Sequence, residues 1–302
     1  MKDYERSDLA CENMNCGTLE GENGVRTSEE TSGCFRVQRA EILTEAAAKR
    51  IGRGIGCYVT VECGRLDRLS EKENKALASL LSREIKVMGE RLCGKCFDGD
   101  FEVLVAGLGN EELTADALGP KTVKALTPTR HLRAHEVAVY RKLGCASLSA
   151  LSTGVLGQTG IETVEIVRGA VRAVRPDLVL IIDALAARSC SRLASTVQLS
   201  SEGILPGAGV GNHRAAIDRN SLGVPVIAIG VPTVVNSATL VYDALHKAGI
   251  ENPDPKLTQV LREGEAFFVS PRECDLIAKK VGELLANAIA DAFTAELLQV
   301  LP

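Results

Sequence analysis

Three apolar runs constrain the fold more than any other feature of this chain. FEVLVAGLG (101–109), DLVLIIDAL (177–185) and GVPVIAIGVP (223–232) place apolar residues at consecutive positions, not at alternate ones. Successive strand residues point to opposite faces, so a strand that is apolar throughout must be covered on both. Helical patterns alternate with these runs, at 70–92, 116–126, 162–174, 236–249 and 272–298. Ser70 with Glu73 makes a capping box at the first of them, Pro176 stops the third, and Gly249 C-caps the fourth. Further strands are predicted at 54–62, 146–152 and 195–200, the last short, half-polar and nearer an edge. The predicted fold class is α/β: a three-layer α/β/α sandwich around a mostly parallel or mixed central sheet.

Composition narrows the function classes. The chain has 302 residues, a hydrophobic fraction of 45% and no internal repeat, which suits one large domain or two smaller ones. Its net charge of −4 and its lack of Trp argue against capture of nucleic acid by charge or by base stacking. No apolar run approaches the ~20 residues of a membrane span, and MKDYERSDLACENMN lacks a secretory apolar core, so a cytoplasmic protein is expected. Residues 1–36 hold eight acids against four bases and are rich in Gly, Ser, Thr and Asn. They read as a mobile acidic arm on a neutral body at 37–302. The ten cysteines are expected to be reduced. Cys93 and Cys96 form one close pair, read as a redox pair, half a zinc site or, in preference, a structural coincidence, since His131 and His135 lie outside finger spacing.

In open α/β sheets the site lies beyond the carboxyl ends of the strands. Gly107-Leu108-Gly109-Asn110 follows the first run and leads to Asp116; Asp183 ends the second, where a carboxylate is costly without a purpose. Two Asp side chains at one rim suit hydrolysis by either of two routes. They share a proton and activate a water, or they hold one divalent ion that does so. No G-x-S-x-G elbow is present, and G-x-G-x-x-G is left incomplete by Glu112, so a serine nucleophile and nucleotide binding are both disfavoured.

The stretches LVAGLGNEELTADALGPKTV, STGVLGQTGIETVEIVRGAV, RPDLVLIIDALAARS, LPGAGVGN and LGVPVIAIGVPTVV, with RSDLA near the start, resemble the germination proteases of endospore-forming bacteria. That resemblance implies an endopeptidase that degrades small acid-soluble spore proteins, works in the forespore or spore core, and is made as a self-processing zymogen and homotetramer. It implies a fold similar to the hydrogenase-maturation endopeptidases and of phosphorylase/hydrolase-like type. Asp116 and Asp183 match the family's two acidic catalytic positions, which are also the ligands if a divalent metal is used. The family cuts after an acid, before a hydrophobic residue and Ala, with another acid three residues ahead. Glu5-Arg6-Ser7-Asp8 followed by Leu9-Ala10 satisfies this, so the expected cut is Asp8–Leu9, with 1–8 a pro-segment and 9–36 the arm. Arg188 or Arg214 is expected to receive the substrate acid. The chain departs from the family pattern at His213 and Asn236.

Overall fold

The computed structural model describes residues 7–14, 24–208, 214–250, 254–263 and 267–294. One sheet organises them. Its strands are β1 (Val25–Ser32), β2 (Phe35–Ile42), β3 (Gly56–Glu62), β4 (Glu102–Gly107), β5 (Ser147–Ser152), β6 (Leu178–Ala187), β7 (Thr196–Ser200), β8 (Val226–Asn236) and β9 (Phe268–Val269). The spatial order is β1-β2-β3-β7-β8-β6-β4-β5, with β9 against β8. Strands β8, β6, β4 and β5 run parallel, whereas β1, β2, β3 and β7 join antiparallel. The sheet is therefore mixed.

Helices cover both faces. On one side α3 (Glu71–Cys93) and α7 (Cys274–Ala292) pack Leu81, Ile85, Val281 and Leu285 against Val105, Leu180 and Ile229. On the other, α5 (Thr163–Val174) packs Val164, Val167 and Val171 against Leu104, Val179 and Ile181. Alternate residues of β6 thus enter different cores, as its continuous apolar run requires. The capping box of α3 is formed: the Ser70 hydroxyl accepts from Glu73 N, and the Glu73 carboxylate accepts from Ser70 N at 2.8 Å. The remaining helices used below are α1 (Ala10–Asn13), α2 (Glu45–Ile51), α4 (Leu118–Ala125) and α6 (Ser237–Lys247).

Three expectations are corrected. Residues 24–36 are not part of a mobile arm: Val25–Ser32 pairs in register with β2 as an exposed edge strand. Its charges made it read as a tail, yet charged residues are what an edge strand carries to resist further pairing. Nor are residues 9–14 free of the body, because Leu9, Ala10 and Met14 are buried. Strand β7 is central, between β3 and β8, and buried along its whole length. Its Val197 and Leu199 enter the α3–α7 core while Thr196, Gln198 and Ser200 face the other way.

Candidate active site

The site forms where β4 stops while β6 and β8 run on. The last pairing of β4 with β6 is Gly107 with Ile182, and Asp183 is the next residue of β6. Asp183 therefore does not end its strand, which continues to Ala187. It lies in register with Gly230 of β8, which in turn is opposite Gln198 of β7. Asp183 is only 7% exposed, and its Oδ1 accepts from Ala184 N at 2.9 Å.

Asp116 reaches the same place by a tight reversal of the chain. Gly109 has φ +108°, and a Cβ there would sit 2.0 Å from the Asp116 carbonyl oxygen, so only glycine lets the turn close. The Asn110 N–H then donates to Asp116 Oδ2 at 2.8 Å. A β-bulge fixes the turn from the other side. Leu185 pairs with Pro232 but Ala186 with Val234, which leaves Thr233 as the extra residue. The Thr233 hydroxyl donates to the Ala115 carbonyl at 2.6 Å. Bulges re-aim side chains in this way beside many sites.

The two carboxyls differ in environment. Burial pushes the Asp183 pKa well above the usual carboxylate range, and the charges of Asp116 and Asp8 push it further. Burial also raises Asp116, but the Asn110 N–H and the charge of Arg214 oppose that rise. The arrangement favours a proton on Asp183 and a charge on Asp116, the unequal pair that acid–base hydrolysis uses.

Residues 7–12 run along β6 and β7 beside Asp183, close enough for the Asp8 charge to act on it. Asp8 N donates to the Ala186 carbonyl at 2.9 Å, and Ala186 N donates to Asp8 Oδ2 at 2.8 Å. Leu9 is fully buried against Leu185, Ala187 and Val235. Gln198 Nε2 donates to the Asp8 carbonyl at 3.1 Å, and its Oε1 accepts from Ala10 N. Arg53 donates to the Ser7 carbonyl at 2.6 Å. The Glu12 carboxylate accepts from Arg188 N at 2.7 Å and Ser189 N at 2.9 Å. A cleft of about 440 Å³ continues from Ser7 and Asp8 along Arg53, Tyr58, Glu202 and Ile204.

Asp116 and Asp183 were expected near one rim and the cut at Asp8–Leu9 within an arm; in the structure the charges of Asp116 and Asp8 both act on Asp183, and Leu9 packs against Leu185. Arg188 does not meet the Asp8 carboxylate; its guanidinium binds the Glu12 carbonyl, because the turn after β6 points it along the segment beyond Leu9. Arg214 acts on Asp116 instead. Asn236 caps α6, its Oδ1 accepting from Ala238 N at 2.8 Å. Glu5 and His213 lie outside the described residues. Cys93 donates to the Asp177 carbonyl, and burial pushes its thiol up to about 11, opposite to a reactive cysteine. Gln198, Thr233 and Arg53 were missed, since a lone Gln, Thr or Arg has no spacing signature.

Among the described residues, no group of three or more His, Cys, Asp or Glu is gathered to hold a metal ion. Asp116 and Asp183 are the two carboxylates that would supply oxygen ligands if a divalent cation were held here.

Comparison with known proteins places these features in context. The family model described as germination protease matches residues 5–248. The chain belongs to the germination protease family. It is 38% identical to the germination protease of Caldanaerobacter subterraneus subsp. tengcongensis, over 94% of this chain and 92% of that protein. The Clostridium acetobutylicum germination protease is 34% identical over 94% of this chain and 93% of its own length. That of Priestia megaterium is 40% identical over 80% of this chain and 64% of its own. Membership makes the chain a peptidase with a role in germination. Among solved structures, a [NiFe] hydrogenase maturation protease from Thermococcus kodakarensis KOD1 is similar over 64% of this chain and 95% of its own, at 17% identity and a TM-score of 0.35. No described helix is long and apolar enough to cross a membrane.

Proposed function

We propose that the chain is a zymogen that cuts its own Asp8–Leu9 bond. It then starts the degradation of small acid-soluble spore proteins in the germinating spore, cutting after Glu or Asp before a hydrophobic residue and Ala. The observation that carries this reading is the seating of residues 7–12 along β6 and β7 beside Asp183. The Asp8 carboxylate is held by Ala186 N, and Leu9 fills an apolar pocket. An acid followed by a hydrophobic residue therefore fits the site, and a short side chain such as Ala10 is buried next.

In the mechanism Asp116 takes a proton from a water as the water oxygen bonds to the Asp8 carbonyl carbon. Asp183 gives its proton to the Leu9 nitrogen as the carbon–nitrogen bond breaks. The products are the Asp8 carboxyl and the Leu9 amine. The pair has passed one proton across itself and regains its starting charge. The same reading includes a homotetramer, measurable by light scattering.

Intact mass of the full chain before and after mild acidification tests the proposal. Wild type loses residues 1–8; Asp183→Asn and Asp116→Asn do not. Processing that persists in chelator supports the metal-free pair, and its loss there would refute that part. Processing by either Asn variant at the wild-type rate would refute the pair itself.

A further inference from the structure

We propose that Gln198 is a catalytic residue that holds the scissile carbonyl and stabilises the oxyanion formed on it; this rests on the reading that Asp8–Leu9 is a substrate bond. The Asp8 carbonyl is the one attacked in that reaction, and Gln198 Nε2 donates to it at 3.1 Å. The other end of the same amide accepts from Ala10 N. A peptide N–H only donates and a carbonyl only accepts, so these two partners dictate which end of the amide is which. Gln198 therefore spans the bond to be cut, one contact on each side of it.

The surroundings explain why this amide is available. Asp183, Gly230 and Gln198 stand in one cross-strand row, and the middle position has no side chain. Gln198 belongs to the polar face of β7 and is 7% exposed, yet its amide bonds among the described residues go only to Asp8 and Ala10. A buried amide whose two partners lie on either side of the bond to be cut, Asp8 on the released residues and Ala10 on the retained chain, has a role toward that bond, since orphaned polar groups are costly. The Ala186 N–H supplies the second half of the device. By bonding the Asp8 carboxylate it leaves the Asp8 carbonyl to Gln198. An acidic residue before the cut thus frees the reacting carbonyl for its donor. The 3.1 Å contact is to the ground-state carbonyl, and a hydrogen bond to an oxygen that gains negative charge strengthens as the charge develops.

The experiment uses the full chain, incubated until its own residues 1–8 have been released as intact mass shows, and a peptide spanning residues 3–14 supplied in trans. Gln198→Met removes both contacts at nearly constant volume. Gln198→Glu keeps an acceptor for Ala10 N and loses the donor. A peptide N-methylated at Ala10 removes the second contact alone. Removing one oxyanion donor costs on the order of 10²- to 10³-fold in kcat. We expect that loss in kcat for both variants, with KM changed less than fivefold for Gln198→Glu and raised for Gln198→Met by as much as methylation raises it, and melting temperatures near wild type. Wild type acting on the methylated peptide should lose mainly in KM. Variants with kcat within threefold of wild type overturn the proposal. So does a loss confined to KM that methylation reproduces, since Gln198 would then be an anchor only. If wild type itself leaves the Asp8–Leu9 bond of the peptide intact, the underlying reading fails, a result separate from either of these.

Discussion

Replacing the leucine after the proposed cut with alanine tests whether the apolar pocket sets specificity. Leu9 is fully buried, and its walls are Leu185, Ala187 and Val235. Leu9→Ala deletes three carbons from that pocket. At ~0.8 kcal/mol per buried methylene the loss is about 2.4 kcal/mol, which at ~1.4 kcal/mol per decade is about 50-fold. A cavity contribution is left out because a bound peptide re-seats more freely than a folded core. The quantity to measure is kcat/KM on matched peptides spanning residues 3–14, since it compares the free partners with the transition state. Valine at the same position should recover most of the loss. A fall of less than threefold for alanine would show that the pocket does not read this side chain in the reactive complex, and the seating of residues 7–12 would lose its functional meaning.

Other predictions follow from the same geometry. Glu12→Gln in the peptide removes the charge from two hydrogen bonds and should lower kcat/KM by about ten- to a hundredfold, as charge-assisted bonds are worth ~1.5–3 kcal/mol; an unchanged value would refute a role for the turn at Arg188 and Ser189. Thr233→Val orphans the Ala115 carbonyl and should cost about 1–3 kcal/mol in thermal or denaturant unfolding together with a lower kcat, while Thr233→Ser retains both. The raised pKa of Asp183 makes its ionisation a burden on the fold. In the window between its ordinary value and its raised native one, the unfolded chain has lost the proton and the native one has not, so stability declines as pH rises. Asp183→Asn should remove that contribution and melt at or above wild type at pH 7, with the gap closing toward pH 4. A variant less stable than wild type at pH 7 would contradict it.

Much of the frame was legible because it rests on local pattern. Runs apolar on both faces meant covered strands, Ser70 and Glu73 marked the start of α3, and acids after β4 and within β6 marked the rim of the sheet. The edge strand β1 and the central strand β7 were misread for one reason. A polar side chain on a strand is compatible with solvent, with an edge or with a buried groove, and the sequence does not say which. In β7 the polar alternation faces the bound segment; in β1 it faces water.

The sequence by itself determined the layered α/β class, the two acids and the string around Asp8 and Leu9. These depend on residue type and short spacing, which chain connectivity preserves. Only the tertiary structure decided that Gln198, 190 positions from Asp8, bonds its carbonyl, and that the Asp8 carboxylate bonds Ala186 N where Arg188 or Arg214 was expected. Contacts of that separation depend on strand order and register. A main-chain N–H is present at almost every residue, so nothing in a sequence distinguishes the one that a fold aims at a distant side chain.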